Sequence, residues 1–172
     1  MGVAELVERL ASARIGGTYN QYAHSAVLRE RLSFYLELRA EAPIVLVGEA
    51  AGYRGARVSG IPFTSERQVS GAGPAEATAT IVHRVLAELG IEDGVLLWNV
   101  VPTHPGTERS NRRPTRKEIE AGCVFLDEVA RGRRSIAVGR VAAAVLDAPY
   151  LRHPAHGGAQ EFAAGLRRTL AG

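Results

Sequence analysis

Residues that could act on a polar ligand stand at the ends of apolar runs, far apart in the sequence. The segment VLVGEAAGYRGARVSGIPFTSE (45–66) places Gly48 and Glu49 directly after such a run. Asn99 extends a second apolar run, and His153 follows a third short one. An amide can donate and accept hydrogen bonds at once, and an imidazole can donate to a developing anion. This set of side chains suits binding a flat polar group and stabilising negative charge on it.

The elements that must position these residues follow from the apolar pattern. Continuous apolar runs closed by glycine are typical of strands buried on both faces. Segments with apolar residues at helical spacing alternate with these runs along the chain. The predicted strands are 43–48, 94–101, 134–139 and 150–153, and the predicted helices are 3–14, 24–40, 74–90, 115–132, 140–147 and 157–170.

Two of the predicted helices carry more detailed expectations. In helix 24–40, Ala26, Val27, Phe34 and Leu38 share one side and would form its apolar face. In helix 115–132, Thr115 and Glu118 have the spacing of a capping box, in which each side chain accepts from the other's backbone N–H.

Buried strands that alternate with helices imply parallel pairing through right-handed crossovers. The fold class predicted from the sequence is therefore α/β, a three-layer α/β/α sandwich with a central four-stranded parallel sheet. No repeat or linker divides the chain, so we expect one domain over residues 1–172, with the helices of residues 1–42 packing on it.

In parallel sheets, ligands bind outside the carboxyl ends of the strands. The ends of the predicted strands bring Gly48, Glu49, Asn99 and His153 to one edge, which predicts a shared site. The glycine-rich loop of residues 48–60 would let backbone N–H groups turn toward an anion or a polar ligand.

Each of these residues also has a simpler structural interpretation. Asn99 could tie down the loop that follows it, and His153 could be hydrogen-bonded to the backbone. Phe63, in the segment GIPFTS, could stack on a flat ligand or fill the core. The sequence alone leaves these alternatives open.

Charge and composition limit the partners. The chain has 172 residues, a net charge of +3 and a pI of about 9.4, and Lys117 is the only lysine. The single cysteine, Cys123, excludes a disulfide framework, a thiolate zinc site and a four-cysteine iron–sulfur cluster. The sequence has neither a membrane-length apolar run nor the pattern of a secretory signal, which leads us to expect a cytoplasmic protein without a membrane partner.

Arginine binds phosphate as a planar fork, so the position of the arginines matters more than their number. They gather around the expected site, in the loop after the first strand and in the polar segment after Asn99. A basic rim around a pocket that reads a flat polar group indicates a nucleic-acid base taken out of its strand. The residues concerned are Arg54, Arg57, Arg109, Arg112 and Arg113.

Four segments together resemble the uracil-DNA glycosylase superfamily. The segment at 45–66 is similar to the GEAPG motif of its iron–sulfur branch, followed by the PF pair that carries a stacking aromatic. LLWNVVPTHPGTERSNRRPTRKE is similar to the segment with a strand-end asparagine and a downstream NR-PT. RHPAHGG is similar to the HPS motif, and IAVGRVAAAVL lies between these two in the family's order.

The resemblance implies a role for each matching residue. Phe63 would stack on a flipped uracil, Asn99 would pair with its Watson–Crick edge, and His153 would stabilise the charge that builds on uracil O2. Gly48, Glu49 and Ala50 would line the pocket where water attacks the sugar, and Tyr53 would limit the pocket beside uracil C5. The HPAHGG loop would press on the DNA backbone or fill the gap left by the base, through His156, Gly157 and Gly158.

The sequence departs from the family pattern at three points. It lacks the cysteines of the iron–sulfur branch, so we expect a cluster-free relative with no metal and no cofactor. Ala50 stands where other branches carry aspartate or asparagine, and Ala51 replaces the usual proline. An alanine cannot orient water, so that task would pass to Glu49, to backbone carbonyls or to no group.

The sequence therefore supports three hypotheses. The first is a monomeric, monofunctional uracil-DNA glycosylase that acts on uracil-containing DNA in base-excision repair, with His153, Glu49 and Asn99 as catalytic residues. The second is a homologue that binds uracil or abasic DNA without turnover, which Ala50 motivates. The third is a small-molecule enzyme of doubly wound fold, which the fold alone permits.

Overall fold

The computed structural model describes residues 2–172. Its strands are β1 (Ile44–Ala50), β2 (Val95–Val101), β3 (Gly106–Thr107), β4 (Ser110–Asn111), β5 (Arg134–Val138) and β6 (Tyr150–Leu151). Its helices are α1 (Val3–Ser12), α2 (Ala26–Leu38), α3 (Ala56–Ser59), α4 (Glu66–Ser70), α5 (Ala77–Leu89), α6 (Arg116–Ala130), α7 (Arg140–Val145) and α8 (Ala159–Ala171), with a 3-10 turn at Glu92–Gly94. Within these residues, no helix combines the length and the apolar character that crossing a membrane requires.

Four strands form the central sheet, and all neighbours in it are parallel. The strand order is β2-β1-β5-β6, so β1 pairs with β2 on one side and with β5 on the other. Every residue of β2 is buried, as its continuous apolar sequence predicts for a strand covered on both faces. Helices flank the sheet, so the predicted three-layer α/β/α sandwich with a four-stranded parallel sheet is confirmed.

Helix α6 lies unusually close to β2. A Cβ on Gly122 of α6 would overlap the backbone carbonyl oxygen of Val100. The predicted capping box is present at the start of this helix, where Thr115 Oγ1 accepts from Glu118 N and Glu118 accepts from Thr115 N. The cap and the glycine together set where α6 begins and how near it approaches the sheet.

The apolar face predicted for α2 is wrong. Val27, Phe34 and Leu38 are 54%, 68% and 59% exposed, so this side of the helix faces solvent. The helix packs instead through a second apolar stripe, Leu28, Leu32, Tyr35 and Leu36. Both stripes have helical spacing, and only the position of the sheet selects between them.

The two loops expected to be irregular contain short elements. Helices α3 and α4 interrupt the glycine-rich segment, and a β3–β4 hairpin lies in the polar segment after β2. These elements have two to five residues each, which is too short for a periodic apolar pattern to indicate them.

The segment before α2 packs on the loop that follows β2. Tyr19 and His104 exchange two backbone hydrogen bonds of 2.9 Å, and the Thr18 and Thr103 hydroxyls are 2.6 Å apart. The side-chain amide of Gln21 donates to the carbonyl of Pro102 at 3.0 Å. Part of the N-terminal region therefore supports the carboxyl edge of the sheet.

We predict that Gly122→Ala destabilises the protein although alanine favours a helix. The new methyl group would meet a backbone carbonyl that cannot move without distorting β2. The expected net loss is about 1–3 kcal/mol in the free energy of unfolding, measured by denaturant titration.

Gly165→Ala on α8 is the matched control. A Cβ there would lie 3.0 Å from Leu151 Cδ2, the movable end of a side chain. This variant should be neutral or slightly more stable than the wild type. Equal losses in the two variants would contradict the close approach of α6 to β2.

Candidate active site

A pocket opens at the carboxyl edge of the sheet, where the strand ends were expected to meet. It encloses about 320 Å³, the lower end of the range of small-molecule sites. It is lined by residues of β1 and β2, the loops that follow each of these strands, the start of α5 and the loop after β6. Those that the sequence predicted are Glu49, Ala50, Phe63, Asn99, Arg112, His153 and His156.

The pairing of β1 with β2 positions one wall of this pocket. Gly48 is the register partner of Asn99. A Cβ on Gly48 would overlap the Phe63 ring and lie 3.0 Å from Asn99 Oδ1, so glycine gives these two side chains their room. Gly48, Phe63 and Asn99 are therefore direct neighbours, as predicted.

Phe63 has an unusual backbone conformation and a mostly buried side chain. Its φ is +52°, a left-handed value that non-glycine residues rarely adopt, and its side chain is only 7% exposed. Such a conformation persists where the surroundings hold it. Phe63 belongs to the core and also borders the pocket, so its place in the core leaves part of the ring at the pocket wall.

The side-chain amide of Asn99 is available to a ligand. Asn99 is only 4% exposed, yet it lines the pocket. Within residues 2–172, no group exchanges a hydrogen bond with its amide, so the described contacts give no support to the alternative that it ties down the next loop. A buried amide with unused donor and acceptor capacity suits a ligand that offers both.

The loop after β6 fixes the tautomer of His153. Its Nδ1 accepts a hydrogen bond from Ala155 N at 3.2 Å, so the neutral ring carries its proton on Nε2. Burial lowers the pKa of His153, and the neighbouring His156 lowers it further. The ring is therefore a neutral Nε2–H donor near pH 7.

Glycines shape the same loop. A Cβ on Gly158 would overlap the His153 carbonyl oxygen, and Gly157 has a φ of +80°. His156 also has a positive φ of +54°, and its exposed side chain lines the rim of the pocket. His156 thus lies at the opening of the pocket, and Gly157 and Gly158 follow it in the chain.

Two carboxylates line the pocket, and the sequence indicated one of them. Glu49 is half-buried; burial raises its pKa, and the positive charge of Arg113 partly offsets this. Glu76, at the start of α5, was not indicated, and burial raises its pKa as well. The approach of α5 to the glycine-rich loop places Glu76 here, and no local motif signals such a contact.

Tyr53 does not line this pocket. It lies in an adjoining groove of about 380 Å³ with Arg54, Arg57 and Arg109. The Arg54 guanidinium lies 5.3 Å from the centre of the Tyr53 ring. That of Arg57 lies over Tyr19, 4.8 Å from the ring centre, and 3.4 Å from the Glu108 carboxylate. The groove continues the basic rim predicted from the sequence.

Arg112 differs from the other rim arginines because a buried carboxylate holds it. Its two terminal nitrogens donate to Glu118 at 2.6 and 2.8 Å. Glu118 is 2% exposed and also accepts from Gly17 N at 3.1 Å and Thr115 N at 2.8 Å. These donors, Arg112 foremost, lower the pKa of Glu118 to about 2. Arg113, next in the chain, is exposed.

Residues that bind metals in proteins are not clustered in the described part of the chain. Residues 2–172 contain no group of three or more His, Cys, Asp or Glu that could hold a metal ion. Cys123 lies half-buried on α6, as a free thiol outside the pocket lining.

A parallel sheet with a polar pocket at its carboxyl edge is the arrangement in which α/β proteins bind their ligands. The family model described as the uracil DNA glycosylase superfamily matches residues 37–167. The chain therefore belongs to the uracil-DNA glycosylase superfamily, as its motifs suggested, and this membership supports DNA glycosylase activity in general.

The structure is also similar to a solved one, the crystal structure of wild-type SMUG2 from Pedobacter heparinus. The TM-score is 0.67, the sequences are 15% identical, and the match covers 99% of this chain and 97% of that one. At this identity the likeness shows a shared fold. The search of curated proteins finds no match.

We predict that Glu118→Gln lowers the free energy of unfolding by about 2–3 kcal/mol, since it leaves Arg112 and two backbone donors without their anion. Glu120→Gln on the same helix is the control, because Glu120 is exposed and pairs only with Arg116. That change should stay within about 0.5 kcal/mol of the wild type.

The same variant should alter the pH dependence of stability. A lowered pKa stabilises the folded state fully above the ordinary value of 4.5 and progressively less as the pH falls toward 2. Lowering the pH from about 5 to about 3 should therefore reduce the free energy of unfolding of the wild type more than that of Glu118→Gln. Parallel curves for the two proteins would contradict the role assigned to Glu118.

Proposed function

We propose that this protein is a monofunctional uracil-DNA glycosylase, which flips uracil out of DNA and hydrolyses its N-glycosidic bond without a metal ion. The observation that carries the proposal is the meeting of Asn99, His153 and Phe63 in one pocket, although ninety positions separate the first and last of them in sequence. Superfamily membership supports the reaction class, and the pocket residues support the base.

Base recognition would depend on Asn99 near the end of β2 and on Phe63 in the loop that follows β1. Uracil presents a donor between two acceptors on its flat ring. The unused amide of Asn99 can accept from the uracil N–H and donate to a neighbouring carbonyl. Phe63, held over Gly48, can stack on the face of the ring.

Departure of the base depends on stabilising its negative charge. His153 Nε2–H can donate to uracil O2 as the bond to the sugar breaks, and its lowered pKa keeps it in the neutral donor form. One donor placed at a developing oxyanion contributes about 3–4 kcal/mol to the transition state. A neutral imidazole supplies this donor without transferring its proton.

The DNA backbone would follow the basic rim. Arg54, Arg57 and Arg109 line the groove beside the pocket, and the exposed Arg113 lies near Glu49. His156 lines the pocket as well, with Gly157 and Gly158 next to it in the chain. A flipped nucleotide would thus enter where the arginine-lined groove and the HPAHGG loop adjoin the pocket.

A second candidate is a protein that binds uracil or abasic DNA without turnover. It is favoured by one observation: Ala50 lines the pocket at the position where other branches carry a polar residue. Alanine offers no group to activate water. The two functions differ in released uracil, which only the enzyme produces.

We predict that the wild type releases uracil from a uracil-containing oligonucleotide and that His153→Ala slows this release by about 100–1,000-fold. Single-turnover assays on single- and double-stranded substrates measure the rate. His24→Ala is the control, because His24 is an exposed histidine that lies outside the pocket lining. Tight DNA binding with no released uracil would favour the second candidate, and neither activity would exclude both.

We also predict that Arg54→Ala, Arg109→Ala and Arg113→Ala each weaken DNA binding, and that the loss in each variant does not depend on the DNA sequence. Each loss of a phosphate contact should reduce the slope of log affinity against log salt by about 1. Arg167→Ala on α8 is the control, as it removes an exposed arginine paired with Glu88. Arg112→Ala should mainly lower stability, because its guanidinium serves Glu118. Equal weakening by Arg167→Ala would show that the groove does not guide DNA.

A further inference from the structure

The side chain of Glu76 is used neither by its helix nor by any motif of the sequence. Glu76 is the N-cap residue of α5, with an extended backbone at φ −120° and ψ 127°. Aspartate, asparagine, serine and threonine at this position usually accept a hydrogen bond from the first turn, but the longer side chain of Glu76 forms no such cap. The carboxylate extends instead into the pocket that holds Asn99 and His153.

The glycine-rich loop is shaped around this carboxylate. A Cβ on Gly52 would overlap Glu76 Oε1, and a Cβ on Gly55 would overlap Glu76 Oε2. Neither glycine has a positive φ. The Glu76 carboxylate occupies the space that side chains at these two positions would fill, so its packing requires glycine at both.

The carboxylate has no compensating partner within residues 2–172. No donor there forms a hydrogen bond with it, and no cation pairs with it. Glu118 is the contrast, because an arginine and two backbone N–H groups surround it and lower its pKa. Burial without such partners is costly for an anion and leaves its lone pairs available to a ligand.

We propose that Glu76 is the general base that activates water in the glycosylase reaction. The inference rests on the proposed function and supplies the water-activating group that Ala50 cannot provide. The water oxygen forms a bond to the sugar C1′ as the bond from C1′ to uracil N1 breaks. The electron pair of the broken bond leaves on the uracil, and the water proton passes to a Glu76 carboxylate oxygen. An anion at this position also stabilises the positive charge that develops on the sugar.

Glu49, the other carboxylate of the pocket, is the weaker candidate. The positive charge of Arg113 acts on Glu49 and reduces its basicity, whereas no cation among the described residues acts on Glu76. A base is most effective when its pKa lies near the working pH, and uncompensated burial shifts Glu76 in that direction. Glu76 therefore combines access to the pocket with a burial that no cation among residues 2–172 offsets.

Glu76→Gln tests this role, because it preserves shape and removes the proton acceptor. The single-turnover rate of uracil release should fall by about 100-fold. The thermal midpoint and the affinity for DNA with a tetrahydrofuran abasic analogue should match the wild type. Glu49→Gln should lose less activity, and Glu88→Gln, at the far end of the same helix, should lose none.

Gly52→Ala provides a second test, because it displaces the acid without removing it. This variant should show a similar loss of rate. In a Glu76→Ala background the same change should cost nothing further, since both act on one group. Independent, additive losses would contradict the proposed contact.

The possible outcomes separate this inference from the proposed function. If the wild type releases uracil and Glu76→Gln stays within about threefold of it, Glu76 is not the base. If the variant loses stability or abasic-DNA binding in proportion to its rate, Glu76 has a structural role and the inference fails. If the wild type releases no uracil, the proposed function itself fails, and the assignment of Glu76 fails with it.

Discussion

The parallel register of β1 on β2 determines where the pocket lies and what lines it. That register sets Gly48 beside Asn99 at the carboxyl ends of the two strands. A slip of one residue would turn Asn99 to the other face of the sheet and place a side chain under the Phe63 ring. Since every residue of β2 is buried, such a slip would also force both faces of the strand to repack, so the core of the protein protects the geometry of its site.

Two carboxylates show how the environment assigns different tasks to one chemical group. Glu118 accepts from an arginine and from backbone N–H groups of two segments, so its charge is fully used in joining the N-terminal loop, the polar loop and α6. Glu76 lies against glycine backbone without any such donor. The first carboxylate stabilises the fold. The second has unused hydrogen-bonding capacity, which a ligand or a reacting water would fill.

Much of this arrangement could be predicted because parallel sheets bring all carboxyl ends to one edge. The strand runs, the Thr115–Glu118 cap and the meeting of Asn99 with His153 follow from local pattern plus that single rule. The packing face of α2 was predicted wrongly, since two apolar stripes fit the helical period equally well. Glu76 and the partner of Arg112 escaped prediction because each depends on a contact between segments that no local pattern connects.

The proposed roles also account for a chain that lacks the cluster cysteines and carries Ala50. Asn99 is built on a strand that pairs with β1 along one edge and packs against α6, which limits its movement and suits the recognition of a base with fixed geometry. His153 and Glu76 come from segments that pack on this sheet edge, one held by the HPAHGG loop and the other by the start of α5. With the roles proposed above, base recognition and water activation would reside on different elements. A missing polar group at Ala50 would then affect only the second task, which a carboxylate that reaches the same pocket from α5 would take over.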